Sequence, residues 1–391
     1  MRSRPGFWLQ LAALAGAAGA LLAVVSGTFG FGHEYVSALA LPPLVAVVVA
    51  AWVAHRHLFV PASVALAFFG AAAAVTMDGL HVALASLSLA AALVAVVQCF
   101  RGEPVAAGPW RDYVTLTKPR IMSLLLVTGA AGTFVGAQGV PSPGLFAAAM
   151  TGLALACGGA SALNHLLDAD IDRLMGARTA NRPVAAGRVP PARALEFGLT
   201  LSALSFVLLA STVNVLTAAL ALVGNLFYVL VYTRWLKRAT PQNIVIGGAA
   251  GAVPPLVGYA ATSGSLGLPA LWLFLIVFLW TPPHFWALAL LIKESYAAAR
   301  VPMLPAVRGD AETTRQILLY SVGMVAFTLA VGFSLGPLYS AAAALLGGVF
   351  LVLARQLRQA PTRRNAGVLF HYSLLYLALL FVAAAVDPVI L

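Results

Sequence analysis

Asn164-His165-Leu166-Leu167-Asp168-Ala169-Asp170-Ile171-Asp172-Arg173 is the stretch that decides how this chain is read. Asn164, Asp168 and Asp172 recur at i, i+4 and i+8, the spacing that sets side chains on one face of an α-helix. They close an apolar run over 144–165, and about 20 such residues are enough to cross the hydrocarbon of a bilayer. The stretch is therefore predicted to be the polar end of a transmembrane helix.

The rest of the chain has the same character. Of its 391 residues, 61% are hydrophobic and 9% charged. Soluble domains carry about 25% charge, so a cytosolic enzyme, a disordered protein and a secreted disulfide scaffold are excluded. The two cysteines, Cys99 and Cys157, lie in apolar runs without metal-ligand spacing. Apolar segments fall near 7–30, 36–54, 59–77, 80–99, 121–139, 144–165, 193–211, 214–233, 243–261, 268–292, 315–334, 338–354 and 367–386, thirteen candidate spans. Threaded alternately from an inside N-terminus, they put all 23 basic residues in inside loops, while the outside loops hold only Glu34, Asp78 and Asp387. This asymmetry is the positive-inside signal. It fixes the expected topology: a multi-pass protein of the cell (plasma) membrane with a cytoplasmic N-terminus and an outside C-terminus. Arg2 and Arg4 open an uncleaved first span rather than a signal peptide. The net charge of +11 then orients the chain in the lipid bilayer, and no nucleic-acid partner is implied.

Two blocks follow from the loops. Residues 1–100 make four spans with short, weakly polar connections, residues 101–111 are a Pro/Gly-containing linker, and residues 112–391 make nine spans with long charged inside loops. Polar groups at membrane depth are costly and functional, so the chemistry is placed in the second block. Oxygen ligands from Asn164, Asp168 and Asp172 on one face repel unless a cation lies between them, and Mg²⁺ suits one or two carboxylates plus phosphate and water. The competing reading is a solvated acidic helix end. The next loop supplies Arg173, Arg178, Arg182, Arg188 and Arg193. Arginine forks match phosphate oxygens, although some of these residues serve topology alone. Carboxylates and arginines beside a bilayer interior describe a site for a diphosphate with a lipid tail.

The pattern N-x-x-x-D-x-x-x-D followed by Arg178-Thr179-Ala180-Asn181-Arg182-Pro183 resembles the UbiA superfamily of intramembrane prenyltransferases. Leu116–Arg120, Tyr232–Gly248, Pro282–Leu290 with Val301–Pro305, and Phe370–Leu377 are similar to its haem-farnesylating branch, the protoheme IX farnesyltransferases. The resemblance covers about 280 residues and implies an all-α fold: a nine-helix UbiA-type intramembrane prenyltransferase bundle, here preceded by four extra transmembrane helices. It implies Mg²⁺-dependent transfer of the farnesyl group of farnesyl diphosphate to the 2-vinyl group of haem B with water addition, giving haem O. Asn164, Asp168 and Asp172 would hold the metal. Arg178, Arg182 and Lys237 would act on the leaving diphosphate, with Lys118, Arg238, Tyr232, His284 and Glu294 as further substrate-binding candidates, although His284 reads equally as a hydrogen-bonded histidine of helix packing. The family's second acidic motif is reduced in Lys293-Glu294-Ser295-Tyr296 to the single carboxylate of Glu294.

Several finer expectations accompany this reading. Pro254-Pro255 and Pro282-Pro283 would bend or break their helices, and Gly247, Gly248 and Gly251 would mark close helix packing. Asn225 and Tyr228 would line a pocket wall, while His165 and His371 would be structural. The first block weakly resembles half of heme A synthase, which makes that enzyme a candidate partner. Its His33 and His81 are candidate haem ligands, yet Ser37 and Leu41 occupy the place of a paired histidine. Two other functions compete with haem farnesylation. One is prenylation of a small aromatic quinone precursor; the other is secondary transport of an anionic metabolite, whose site would lie near the bilayer midplane rather than at its inside edge.

Overall fold

The computed structural model describes residues 7–29, 41–50, 56–74, 78–101 and 108–390, and among these the regular structure is entirely helical. Among the described residues, eight helices are long and apolar enough to cross a membrane: Pro119–Ala137, Pro143–Leu167, Pro191–Thr212, Val215–Ala239, Asn243–Ser263, Leu268–Leu291, Pro337–Gln359 and Arg363–Ile390. Each lies within a few residues of an expected span. The expected 315–334 span is part of a longer helix, Leu304–Ala330, whose first turns are polar and which kinks at Gly309 (φ 76°). That polar entry keeps it out of the apolar set. These helices pack on their chain neighbours, and Arg363–Ile390 returns to pack on Pro119–Ala137, closing the bundle.

Two kinds of packing hold the bundle. On one side, Trp280, Trp286, Tyr339, Phe350, Tyr376 and Phe381 fill the space among the last four helices. Lipid supplies no hydrophobic drive between helices, so association rests on close contact and hydrogen bonds. Trp280 Nε1 accordingly donates to the Ser373 carbonyl at 2.8 Å. Asp387 accepts from the backbone N–H groups of Leu338 (3.1 Å) and Tyr339 (2.5 Å), which would otherwise be unpaired at a helix start. On the other side, small residues form a seam between Pro119–Ala137 and Asn243–Ser263. A side chain at Gly132 or Gly258 would run into the backbone of the facing helix, and Thr262 Oγ1 donates across the seam to the Thr133 carbonyl at 3.0 Å.

Several sequence expectations change here. Asn243–Ser263 and Leu268–Leu291 run on through their proline pairs instead of breaking. Gly247 and Gly248 face Tyr232 and Thr281 closely, whereas Gly251 faces open space and marks no contact. Asn225 donates to the Ala156 carbonyl (3.2 Å) and to Ser202 Oγ (2.8 Å), so it ties helices together rather than lining a pocket.

In the first block, Asp78–Arg101 packs on Phe7–Phe29, on Arg56–Ala74 and on Pro191–Thr212 of the bundle. Ala72 and Leu84 meet Phe206 there. His33, Ser37, the side chain of His81 and linker residues 102–107 lie outside the described residues.

Gly258→Val is expected to overpack the glycine seam and destabilise the bundle by about 1–3 kcal/mol. Thermal unfolding in detergent checks this, and a variant that melts with the wild type would show that the seam has room to spare.

Candidate active site

The site grows from the end of Pro143–Leu167. Small residues let this helix approach Pro191–Thr212: a Cβ at Gly159 would meet Ser202 and the Gly198 carbonyl. The helix ends at Asp168 and a short one, Ala169–Leu174, follows. Backbone bonds from Asp168 N to Asn164 O (2.9 Å) and from Asp172 N to Asp168 O (2.8 Å) carry the helical register through the join. The i, i+4, i+8 face therefore survives. Asn164, Asp168 and Asp172 are only 3%, 1% and 1% exposed, which rules out the solvated acidic end.

Each member of the triad meets a different cation. Lys118 Nζ donates to Asn164 Oδ1 at 2.6 Å, Lys237 Nζ to Asp168 Oδ2 at 2.5 Å, and Arg182 Nη1 to Asp172 Oδ1 at 2.7 Å. The Asn164 amide donates to Asp168 Oδ2 (2.8 Å) and Thr233 Oγ1 (3.0 Å). The fold makes local concessions to this arrangement. Lys118 is left-handed (φ 50°, ψ 60°), a backbone state that costs a residue with a side chain about 1–3 kcal/mol. Phe227–Leu236 is a π-helix, the rare form that occurs at functional sites. Its wider turn brings Thr233 Oγ1 to the Tyr228 carbonyl, five residues back, at 2.8 Å. It also stacks Tyr228 on Tyr232, with centroids 5.5 Å apart. The Tyr232 ring lies where a side chain at Gly247 would be.

Burial sets the protonation tendencies. It draws the Lys118 ammonium down to about 7, helped by the nearby Arg182 charge. It raises the Asp172 carboxyl against the opposing pull of Arg182. It also lifts the Tyr296 phenol to about 12, close enough to feel Arg182, Asp168 and Asp172. Asp168 Oδ1 and Asp172 Oδ2 are buried with no hydrogen-bond partner. A buried carboxylate oxygen without a donor is expensive, and two of them on one face fit a divalent cation. Among the described residues no group of three His, Cys, Asp or Glu side chains could hold a metal alone.

The other expected residues are dispersed. Arg238 pairs with both Asp170 oxygens (2.7 Å each) and with the Leu167 carbonyl (2.7 Å), holding Asp170 down at about 2, so it clamps the acidic turn from outside. Of the loop arginines, Arg188 binds Asp112 (2.9 Å), Arg193 binds Glu196 (2.7 Å) and Arg173 the Ala185 carbonyl (3.0 Å). The side chain of Arg178, in the short helix Ala177–Ala180, lies outside the described residues. Glu294 is exposed and lines a separate cleft with Lys293, Asp310 and Arg363. His284 belongs to an aromatic stack between Leu268–Leu291 and Arg363–Ile390. His371 is exposed, with Nδ1 2.7 Å from the Gly367 carbonyl of its own helix. Sequence reading missed Thr233 and Tyr296; His165, expected to be structural, is buried with both ring nitrogens unpartnered. Lys237→Ala would leave Asp168 without its cation. Loss of one partner of a buried pair costs about 3–5 kcal/mol, so a lowered melting temperature is expected, partly restored by Mg²⁺. Equal melting of the two proteins would show that Lys237 carries no such charge compensation.

The sequence profile of the UbiA prenyltransferase family matches residues 125–382. The Protoheme IX farnesyltransferase of Symbiobacterium thermophilum is 53% identical over 281 residues, which cover 71% of this chain and 94% of that one. The protein of the same name from Synechocystis sp. is 52% identical over 282 residues, 71% of this chain and 89% of its own. The Roseiflexus sp. protein of that name is 51% identical over 282 residues, 72% of this chain, but the match takes in only 53% of its length. The chain thus spans about half of that relative. Among solved structures, one of digeranylgeranylglyceryl phosphate synthase superposes with a TM-score of 0.60 at 18% identity, over 72% of this chain and 99% of that one. A UbiA homologue from Archaeoglobus fulgidus bound to GPP and Mg²⁺ gives 0.54 at 16% identity, over 70% and 99%. The profile match and the relatives more than half identical over most of their own length leave one assignment: the chain belongs to the UbiA prenyltransferase family.

Proposed function

We propose that the chain transfers the farnesyl group of farnesyl diphosphate to the 2-vinyl group of haem B, with addition of water, to give haem O and diphosphate. The observation that carries this reading is the buried pair Asp168 and Asp172, each with one unpartnered oxygen and together faced by Lys118, Lys237 and Arg182. It is supported by the name shared by the relatives compared above. Cations converging at the end of a membrane helix suit a polyphosphate head whose isoprenoid tail lies among the helices. Quinone-precursor prenylation would use the same donor site. The branch-specific stretches over Tyr232–Gly248 and Pro282–Leu290 favour haem as acceptor.

Asn164, Asp168 and Asp172 would hold Mg²⁺, which when bound supplies Lewis-acid neutralisation of charge on the diphosphate. The chain's own residues do the rest. Lys118, Lys237 and Arg182 are fixed donors in a site of low dielectric, so they stabilise charge that develops on the leaving oxygens as the allylic C–O bond breaks. Arg178, in the same loop, is a further donor. Arg238 holds the acidic turn in place through Asp170. The stacked Tyr228 and Tyr232 wall the site and help exclude water while the allylic carbon is cationic. The electron pair of the vinyl group forms the new C–C bond. Water then adds at the adjacent carbon and releases a proton. His284 is assigned to the acceptor side, a role that its place in the aromatic stack leaves open to test. Glu294, exposed in its separate cleft, is assigned an outer role at the inside surface. On the charge asymmetry of the loops, the site is assigned to the cytoplasmic side of the plasma membrane, with the C-terminus outside. Residues 1–100 are an accessory bundle, and heme A synthase is the candidate receiver of the product.

The test offers the purified chain farnesyl diphosphate with haem B or with a hydroxybenzoate, and follows products by mass spectrometry. Haem O formation that requires Mg²⁺ is expected, and Asp168→Ala should lower it by at least about 100-fold. Product from the hydroxybenzoate alone would replace haem as acceptor, and full activity of the alanine variant would remove Asp168 from the site.

A further inference from the structure

His284 is a polar side chain framed by aromatic rings in the bundle's aromatic half. Its ring is stacked between Trp280 (centroids 4.2 Å apart, planes 16° apart) and Phe370 (4.9 Å, 23°), with Phe285 edge-on at 5.1 Å. Its Nδ1 lies 2.6 Å from Ser373 Oγ. Ser373, fully buried, lies 2.7 Å through the same oxygen from the Phe370 carbonyl, and its own carbonyl accepts from Trp280 Nε1 at 2.8 Å.

These contacts decide the tautomer. A hydroxyl carries one proton, and a carbonyl oxygen can only accept. Both short contacts of Ser373 Oγ are satisfied together only if the hydroxyl donates to Phe370 and accepts from His284. Nδ1 then carries the imidazole proton and Nε2 the lone pair. The reverse arrangement would leave two oxygens 2.7 Å apart with no proton between them. His284 as a whole keeps 6% exposure. A neutral imidazole with one nitrogen fixed by a hydrogen bond and the other presenting a lone pair is the form that ligates haem iron, and the fixing partner sets ligand orientation and basicity.

We propose that Ser373 is a positioning residue for the acceptor: it holds His284 in the Nδ1–H form and in the plane set by Trp280 and Phe370, so that Nε2 is directed at the iron of the bound metalloporphyrin. This rests on haem being the acceptor. Ser373 touches no reacting atom itself and acts through His284.

The experiment titrates haem into the purified full-length chain and records the visible spectrum, with farnesyl diphosphate binding measured in parallel as a check on folding. Ser373→Ala should weaken haem binding by about 10-fold or more and change the Soret band, while farnesyl diphosphate binding is kept. Ser373→Cys nearly conserves volume and offers a poor acceptor, so it should show the same loss and carries the test if the alanine variant does not fold. Ser373→Thr, which keeps the hydroxyl, should restore the wild-type spectrum. If alanine and cysteine variants bind haem with wild-type affinity and spectrum while the wild type makes haem O, the role of Ser373 is overturned and the acceptor reading stands. If the wild type prenylates a hydroxybenzoate and no porphyrin, the acceptor reading itself falls.

Discussion

Two carboxylates buried side by side at the end of a membrane helix are the constraint on which the rest of this site depends. Asp168 and Asp172 are each 1% exposed and cannot both be charged there without compensation. A pair of opposite unit charges 4 Å apart is worth about 4 kcal/mol at an effective dielectric of 20. Cations delivered from distant parts of the chain are therefore decisive. The three that arrive come from a left-handed residue before Pro119, from the loop after the acidic turn and from the end of a π-helix. Each irregularity is local, and each ends on the same triad. Strain in such places persists only where the surroundings over-determine it, and here the surroundings are the charges themselves.

The division of packing follows from the same requirement. The glycine seam between Pro119–Ala137 and Asn243–Ser263 lets backbones meet closely, which fixes the two helices that carry Lys118 at one end and Gly247, beneath Tyr232, near the start of the other. The aromatic half, built on Trp280, Tyr339, Phe350 and Tyr376, has little ionisable content and holds His284 by stacking and a single buried serine. One half positions charge, and the other is a close-packed aromatic core that fixes the last four helices against one another.

Much of this is legible in the amino-acid sequence. The triad Asn164, Asp168, Asp172 can be read because its period is that of an α-helix, and the backbone keeps that period through the join at Asp168. The spans can be read because an apolar run long enough to cross a bilayer is seldom built for any other setting. What escapes is long-range or depends on an unusual period. Tyr228 and Thr233 are five apart and do not share an α-helical face; a π-turn brings them together. The arginine loop looks uniform in sequence, yet among its described side chains only Arg182 reaches the triad, because Asp112, Glu196 and the Ala185 carbonyl claim Arg188, Arg193 and Arg173. The packing contact between the two blocks at Phe206 has no local signature either, since an apolar residue facing a helix and one facing lipid look alike in sequence.

The charge count at the triad bears on how such a site releases a diphosphate without quenching the cation it creates. Lys237 and Arg182 offset the two carboxylates, Lys118 adds a charge when protonated, and a divalent metal would make the inner shell positive. That surplus suits a polyanionic leaving group, to which the bond-breaking electron pair is drawn. It would disfavour a nearby carbocation if no other group faced it. The stacked Tyr228 and Tyr232 offer π-faces, which attract cations at close range. A ring face carries no formal charge and no nucleophile stronger than a phenol, and burial keeps the neighbouring phenol of Tyr296 protonated. On the proposed chemistry, the positive shell and the aromatic wall act on opposite ends of the breaking bond, and the π-helix serves both because Lys237 follows directly on the turn that stacks the tyrosines.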